Sequence, residues 1–222
     1  MKKRIPALLL AVAVFCAILT VSIGLPIYIR PFYYLHIEAL NLPEVSGFTA
    51  DQIVEAYDQV LDYLTLPGRE FGTGVMACSQ NAADHFVDCR VLFDLNAGIL
   101  VASLAVILVL LILRRFGRLN LHIGSRSGAF WGALMAVGLP LVIGALAALD
   151  FSRAFVIFHS IFFPGKDNWI FDWYKDQIIR VLPQQFFMNC AILIGTGVLV
   201  LSLGILIATR KKVKENEHGH QA

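Results

Sequence analysis

Charge is scarce in this chain. Asp, Glu, Lys and Arg make up 15% of its 222 residues, against 58% hydrophobic residues, and the mean hydropathy is +0.71. That balance excludes a soluble globular domain and points to an integral membrane protein. Familiar catalytic signatures are missing as well. There is no G-x-S-x-G elbow and no Ser or Cys motif for a covalent intermediate. An H-x4-D acyltransferase motif starting at His85 would need an acid where Arg90 stands. Neither H-E-x-x-H nor C-x-x-C spacing occurs, so the sequence asks for no metal and no cofactor. No internal repeat is present, and the inverted halves expected of transporters are missing. The four cysteines form no cluster. Cys16 and Cys190 sit inside apolar runs as packing residues, while Cys78 and Cys89 fall where oxidation is open to them. Their separation permits a disulfide, and a helical Cys89 would forbid it; both states stay open.

Long apolar sequence is what the chain has in abundance. Four runs, residues 5–29, 97–113, 128–148 and 187–208, match the roughly 20 residues that cross a bilayer. The expected architecture is all-α: one polytopic membrane domain, residues 1–222, with four transmembrane helices. A small extracellular cap of short helices and a few short strands is expected from residues 30–96 and 149–186. Eleven of the eighteen basic residues lie in three short segments: Lys2, Lys3 and Arg4; Arg114, Arg115, Arg118 and Arg126; Arg210, Lys211, Lys212 and Lys214. Only Glu215 and Glu217 accompany them as acids. By the positive-inside rule both termini face the cytoplasm and the two long connections face out. These clusters are topology signals, so no nucleic-acid partner is called for. The first run is too long for a signal-peptide core and no small-x-small site ends it, so it reads as a retained helix.

Within the cap, Pro26, Tyr28, Tyr33 and Tyr34 suggest an interfacial aromatic belt with Arg30 reaching outward. A hairpin-like stretch with Pro43 and Gly47 follows. Thr49–Gln52 is a capping-box signature. Behind it Ile53, Val54, Tyr57, Val60, Leu61 and Leu64 recur at helical spacing until Pro67-Gly68, with Asp51, Glu55, Asp58 and Asp62 opposite as a solvated face. Short strands are expected at 75–78 and 168–171. Asn81 reads as the N-cap of a helix running through DHFVDCRVLFDLN into the second apolar run. The third run continues in helical pattern past Asp150 and Arg153 to Phe163, stopping at Pro164-Gly165, a length of about 50 Å if unbroken. Asp172 then caps a brief helix before Pro183.

The stretch 158–187, FHSIFFPGKDNWIFDWYKDQIIRVLPQQFF, is too aromatic for a solvated linker and must pack on something. It brings in His159. On the other external segment His85 shares a helix face with Asp88, Leu92 and Asn96; taking Arg90 as the interface marker puts His85 within about 10 Å of the headgroups. Of six histidines, His122, His218 and His220 fall on the cytoplasmic side and His36 near the end of the first run. His85 and His159 alone sit on separate helices at the same outer level. Imidazole titrates near neutral pH, so such a pair can accept and return a proton. Without a nucleophile of its own, the site suits an intramolecular transfer in which the substrate supplies attacking and leaving groups. Each histidine also has a plainer reading as a hydrogen-bonded structural residue, and Asp88 either orients His85 or caps a local turn. Arg153 in an apolar run must pair, with Asp150 for instance, or face a cavity. Trp169, Phe171 and Trp173 are interface belt or cap core before they are ligand box.

The run FHSIFFPGKDNWIFD followed by DQIIRVLPQQFF resembles the lipoprotein intramolecular transacylase family of small four-span bacterial membrane proteins, and the segments 55–66 and 85–93 resemble it more loosely. The resemblance implies four membrane helices with an extracellular cap. It also implies an acyltransferase that moves the sn-2 acyl chain of a diacylglyceryl lipoprotein onto the amine of its N-terminal cysteine, giving the lyso form. By motif, His159 and His85 match the two catalytic histidines. Asp88, Arg90, Arg153, Phe162, Phe163 and Trp169 are the expected supporting or substrate-positioning residues, with Arg90 or Arg153 on the oxyanion or headgroup. Membrane lipid and lipoprotein are the expected partners, and the cytoplasmic membrane the location. The rival reading is a non-enzymatic scaffold or assembly protein that holds a partner on its acidic cap.

Overall fold

A computed structural model describes residues 4–218. Lys2, Lys3 and His220, used above, lie outside the described residues. Helix dominates: α1 (Ile5–Tyr28), α2 (Arg30–Ala39), α3 (Leu42–Ser46), α4 (Ala50–Thr65), α5 (Gln80–Arg115), α6 (Gly128–Leu149), α7 (Phe151–Phe162) and α8 (Gln184–His218). A ribbon of β1 (His122–Ile123) and β2 (Arg126–Ser127) turns the chain between α5 and α6, with His122 opposite Ser127. α1, α5 and α8 are long and apolar enough to cross a membrane. α6 runs for 22 residues, and over Gly128–Gly138 it too is apolar. The chain divides into two compact units. One holds the chain up to Leu25, Asn96–Ala145 and the segment from Leu193 on; the other holds Pro26–Leu95 and Leu146–Ile192.

In the first unit, Leu10, Val14 and Ile18 of α1 pack with Leu110 of α5, Ala133 and Ala136 of α6, and Val198 of α8. Lipid is as apolar as leucine, so close backbone approach rather than water exclusion drives such packing. Gly128 and Gly132 provide it: a Cβ at either would stand 2.2 or 2.3 Å from the carbonyl oxygens of Ala7 and Ala11. Outward residues such as Leu8, Val12, Val101 and Leu108 remain half-exposed or more, which is the surface a lipid-facing bundle requires.

The second unit has a soluble-type core centred on Tyr33, Leu42, Ile53, Ile178 and Val181, all fully buried. Each aliphatic side chain buried there contributes about 1.5–3 kcal/mol. α4 forms as expected. Thr49 accepts from the Gln52 N–H, the Gln52 side chain accepts from the Thr49 N–H, and Ile53, Tyr57, Val60, Leu61 and Leu64 face inward. α5 is one continuous helix, as the sequence pattern predicts, although Ser79 rather than Asn81 caps it, its Oγ accepting from the Ala82 N–H at 3.2 Å.

Several expectations are corrected. The Pro43–Gly47 stretch is not a hairpin: Pro43 sits in the first turn of α3 and Gly47 closes the helix at φ +80°, a left-handed C-cap. Tyr33 is no belt residue but the centre of the core, stacked on Tyr57 at 3.7 Å with its hydroxyl donating to the Val181 carbonyl. Arg30 does not reach outward alone; it pairs with Asp58 and Asp62, so the acidic face of α4 is partly neutralised within the unit. Among the described residues no strand forms at 75–78 or 168–171. The helix expected to run unbroken from the third apolar run to Phe163 breaks at Asp150. With φ −154° and ψ 92°, Asp150 starts a new helix by accepting from the Arg153 N–H at 2.9 Å. The brief helix expected after Asp172 is a 3-10 turn, Gln177–Arg180.

Candidate active site

The chemistry-bearing residues come from two helices and one loop, all in the second unit. α5 presents His85, Asp88 and Cys89 at i, i+3 and i+4, hence on adjoining positions of one face. α7 presents Phe155 and His159 one turn apart. After α7 the chain turns at Gly165, whose φ of +74° favours glycine. The loop that follows sends back Lys166, Asn168, Trp169 and Phe171.

The structure brings His85 and His159 together. Their ring centroids are 5.7 Å apart and the planes are tilted by 34°; the residues are 7% and 6% exposed. Aromatic rings enclose them. Phe163 lies 4.8 Å from His85 and 5.7 Å from His159, and Phe171 meets His85 edge-on. Trp169 stacks on His159 at 4.6 Å, and Phe155 flanks it at 4.2 Å.

Enclosure sets the protonation. Burial first, and then the facing His159, lower the His85 pKa to about 4 against the pull of Asp88 and Asn168. Burial also lowers that of His159, partly offset by its bond to the Phe155 carbonyl. Both rings are therefore neutral at pH 7, and a proton on one resists a second on the other. His159 Nδ1 donates to the Phe155 carbonyl at 2.8 Å. That fixes its tautomer: the lone pair sits on Nε2, which no described residue engages. His85 Nε2 lies 3.4 Å from Cys89 Sγ, and burial followed by the Asp88 charge pushes that thiol up to about 12, so it stays S–H.

Behind His85, Asp88 accepts from Lys166 Nζ at 2.5 Å and from Asn168 Nδ2 at 2.9 Å. Burial alone would raise its pKa, but these two donors outweigh it and hold the carboxyl below the usual range. An open cavity of about 460 Å³, lined in part by Asp84, Asp88, Lys166, Asp167 and Asn168, wets this side of the network.

Of the expected supporting residues, Asp88, Phe163 and Trp169 are at the pair. Three are not. Arg90 lies over the Tyr63 ring at 4.9 Å and donates to the Leu66 carbonyl. Arg153 is exposed on α7, and its backbone N–H rather than its guanidinium is what Asp150 engages. Phe162 packs on Phe158 and is half-exposed. Cys78 and Cys89 are both free thiols. Sequence reasoning missed Phe155, Lys166 and Asn168. The i−4 relation of Phe155 to His159 was available from helical spacing; nothing in the sequence linked the loop residues to Asp88. Among the described residues, no group of three or more His, Cys, Asp or Glu side chains is placed to hold a metal ion.

Comparison with known proteins matches residues 8–187 to the family described as lipoprotein intramolecular transacylase Lit. The solved structure of the membrane integral lipoprotein intramolecular transacylase Lit from Bacillus cereus is similar to this chain with a TM-score of 0.87 at 25% identity, covering 98% of both chains. A structure of that protein with one histidine replaced by arginine gives 0.81 at 24% identity, covering 98% of this chain and 95% of that one, and is a likeness of fold. An uncharacterized protein of Aquifex aeolicus is 31% identical over 81 residues, a match spanning 34% of this chain and 37% of that protein.

Proposed function

This chain belongs to the lipoprotein intramolecular transacylase family, and we propose that it moves the sn-2 acyl chain of a diacylglyceryl lipoprotein to the amine of the N-terminal cysteine. The observation that carries this reading is the pair of neutral, enclosed imidazoles 5.7 Å apart, one with an unengaged Nε2 lone pair. The substrate amine attacks the ester carbonyl carbon, and His159 Nε2 takes the proton that the nitrogen loses as the C–N bond forms. The imidazolium so formed is a counter-charge for the oxyanion. As the C–O bond to glycerol breaks, the same proton passes to the departing oxygen, directly or through His85. Amide replaces ester, a hydroxyl replaces the ester oxygen, and no atom enters or leaves. Mutual repulsion keeps the pair to one proton, which is what this balance needs. The aromatic walls exclude the water that would otherwise take the acyl group.

The same reading gives four crossings at 5–29, 97–113, 128–148 and 187–208 in the cytoplasmic membrane, with both termini inside and residues 30–96 and 149–186 outside. The charge asymmetry supports it. The test is expression in a host that makes only diacyl lipoproteins, followed by mass spectrometry of a lipoprotein's N-terminal peptide. The wild-type chain should produce the lyso form, and His85→Ala and His159→Ala should each reduce conversion by at least roughly 10²-fold. Unchanged lipoproteins with the wild-type chain would favour the scaffold reading instead, and full conversion by both variants would remove the two-imidazole mechanism.

A further inference from the structure

His159 has its tautomer fixed by a backbone carbonyl, and the structure contains a counterpart for His85. Two of the three buried side-chain polar atoms without a partner among the described residues are Nδ1 of His85 and Oδ1 of Asn168. They belong to neighbouring side chains, since the Asn168 amide acts on His85 as a hydrogen-bonding group that favours the charged ring. The direction of the amide is determined. Asn168 Nδ2 donates to Asp88 Oδ2 at 2.9 Å, while Asp88 Oδ1 is taken by Lys166. The flipped amide would set its oxygen against a carboxylate. Although Asn168 borders the open cavity, its Oδ1 is itself shut off from solvent, so the oxygen calls for a partner within the protein.

Two ring tautomers are available to a neutral His85. With the proton on Nε2, the lone pair of Nδ1 would face the lone pairs of Oδ1 and both buried atoms would stay unsatisfied. With the proton on Nδ1, N–H gains Oδ1 as an acceptor, and Nε2 accepts from the Cys89 S–H. Only the second satisfies every group.

We propose that Asn168 is a positioning residue, its Oδ1 accepting from Nδ1–H of His85 and so keeping the proton-accepting lone pair on Nε2. The assignment rests on His85 being one of the reacting imidazoles. Both histidines then present Nε2 for proton transfer, one set by Phe155 and the other by Asn168, with Asp88 and Lys166 fixing the amide. Asn168 acts through His85 and touches no reacting atom. The charged and titratable groups facing His85 are His159 of α7, Asp88 and Cys89 of α5, and Lys166 of the loop.

Nitrogen-15 NMR of histidine-labelled protein in detergent reads the ring tautomer apart from activity. Wild type should show His85 as Nδ1–H, and Asn168→Leu should show a mixture or Nε2–H, with kcat reduced by roughly 10²-fold and KM little changed. The exchange pair Asp88→Asn with Asn168→Asp keeps an acceptor on Nδ1 and a donor to hold it. It should recover most of kcat and move the acid limb of the pH profile upward, because a carboxylate favours the charged ring. Nε2–H in wild type, or Asn168→Leu with unchanged tautomer and kcat, would overturn the assignment. Full conversion by His85→Ala would instead overturn the functional reading, leaving the tautomer measurement standing.

Discussion

His36 and His159 are built alike and left differently. Each sits on a helix and donates from Nδ1 to the carbonyl four residues back, Phe32 at 2.6 Å and Phe155 at 2.8 Å. In each case that same phenylalanine's ring lies beside the imidazole, at 4.6 Å for His36 and 4.2 Å for His159. The difference is at the other nitrogen. His36 Nε2 accepts from Asn189 Nδ2 at 2.8 Å and so ties α2 to α8; with Nδ1 on the Phe32 carbonyl, both its nitrogens are spent. His159 Nε2 has no partner among the described residues, and its ring lies 5.7 Å from a second imidazole. An aromatic-flanked histidine on a helix is therefore no evidence of chemistry by itself. An unspent lone pair beside a proton-sharing neighbour is.

Substituting each in turn tests the contrast most severely. His159→Gln should lower conversion by at least roughly 10²-fold, since no amide replaces a general base. His36→Gln should leave conversion near wild type and lower stability by about 1–3 kcal/mol, because the partly buried Asn189 amide loses the imidazole acceptor that fixes it. Chemical denaturation in detergent and lipoprotein mass spectrometry read the two effects separately. Equal losses of conversion would erase the distinction.

Acid gives a smaller effect with a definite sign. His85 titrates at about 4 in the folded protein and near 6.5 when exposed in the unfolded chain. Between those values the unfolded chain binds a proton that the folded state does not, so stability falls as pH drops below about 6.5. Above that, both states are neutral and the term vanishes. His159, lowered in the same direction, adds to it. Thermal unfolding should show a Tm decline from pH 6.5 to 5 that is shallower in His85→Gln. An identical slope in that variant would mean the imidazole is not held neutral by its surroundings.

How much of this was legible beforehand depended on range. The capping box at Thr49, the inward stripe of α4 and the unbroken α5 are local patterns, and they hold. Pro43 and Gly47 are local too, but the same residues punctuate a hairpin or a one-turn helix, and packing of Leu42 into the core decides which. Asp150 was visible as an acid in an apolar run; its capping of α7 required a backbone break that the hydrophobic pattern, apolar on both sides, did not signal. The meeting of His85 and His159 could be argued because both were placed by helix spacing. Lys166 and Asn168 could not be assigned, since their bonds to Asp88 join positions about eighty residues apart through a loop with no periodicity.

The least perturbing test makes His85 resemble His36. The Cys89 S–H at His85 Nε2 is a weak donor, so a substrate hydroxyl or amine displaces it at little cost. Cys89→Ala should accordingly change conversion by less than about threefold. Cys89→Asn is close in volume and would set an amide N–H where Asn189 stands for His36. That donor must be given up each time Nε2 takes a proton, and at about 0.5–1.5 kcal/mol it should slow conversion up to roughly tenfold. The rates should therefore rank Cys89→Ala beside wild type and Cys89→Asn below both. If the asparagine variant kept the full rate while NMR showed its amide bonded to Nε2, His85 would act through its charge or shape rather than through a lone pair, and His159 alone would carry the proton.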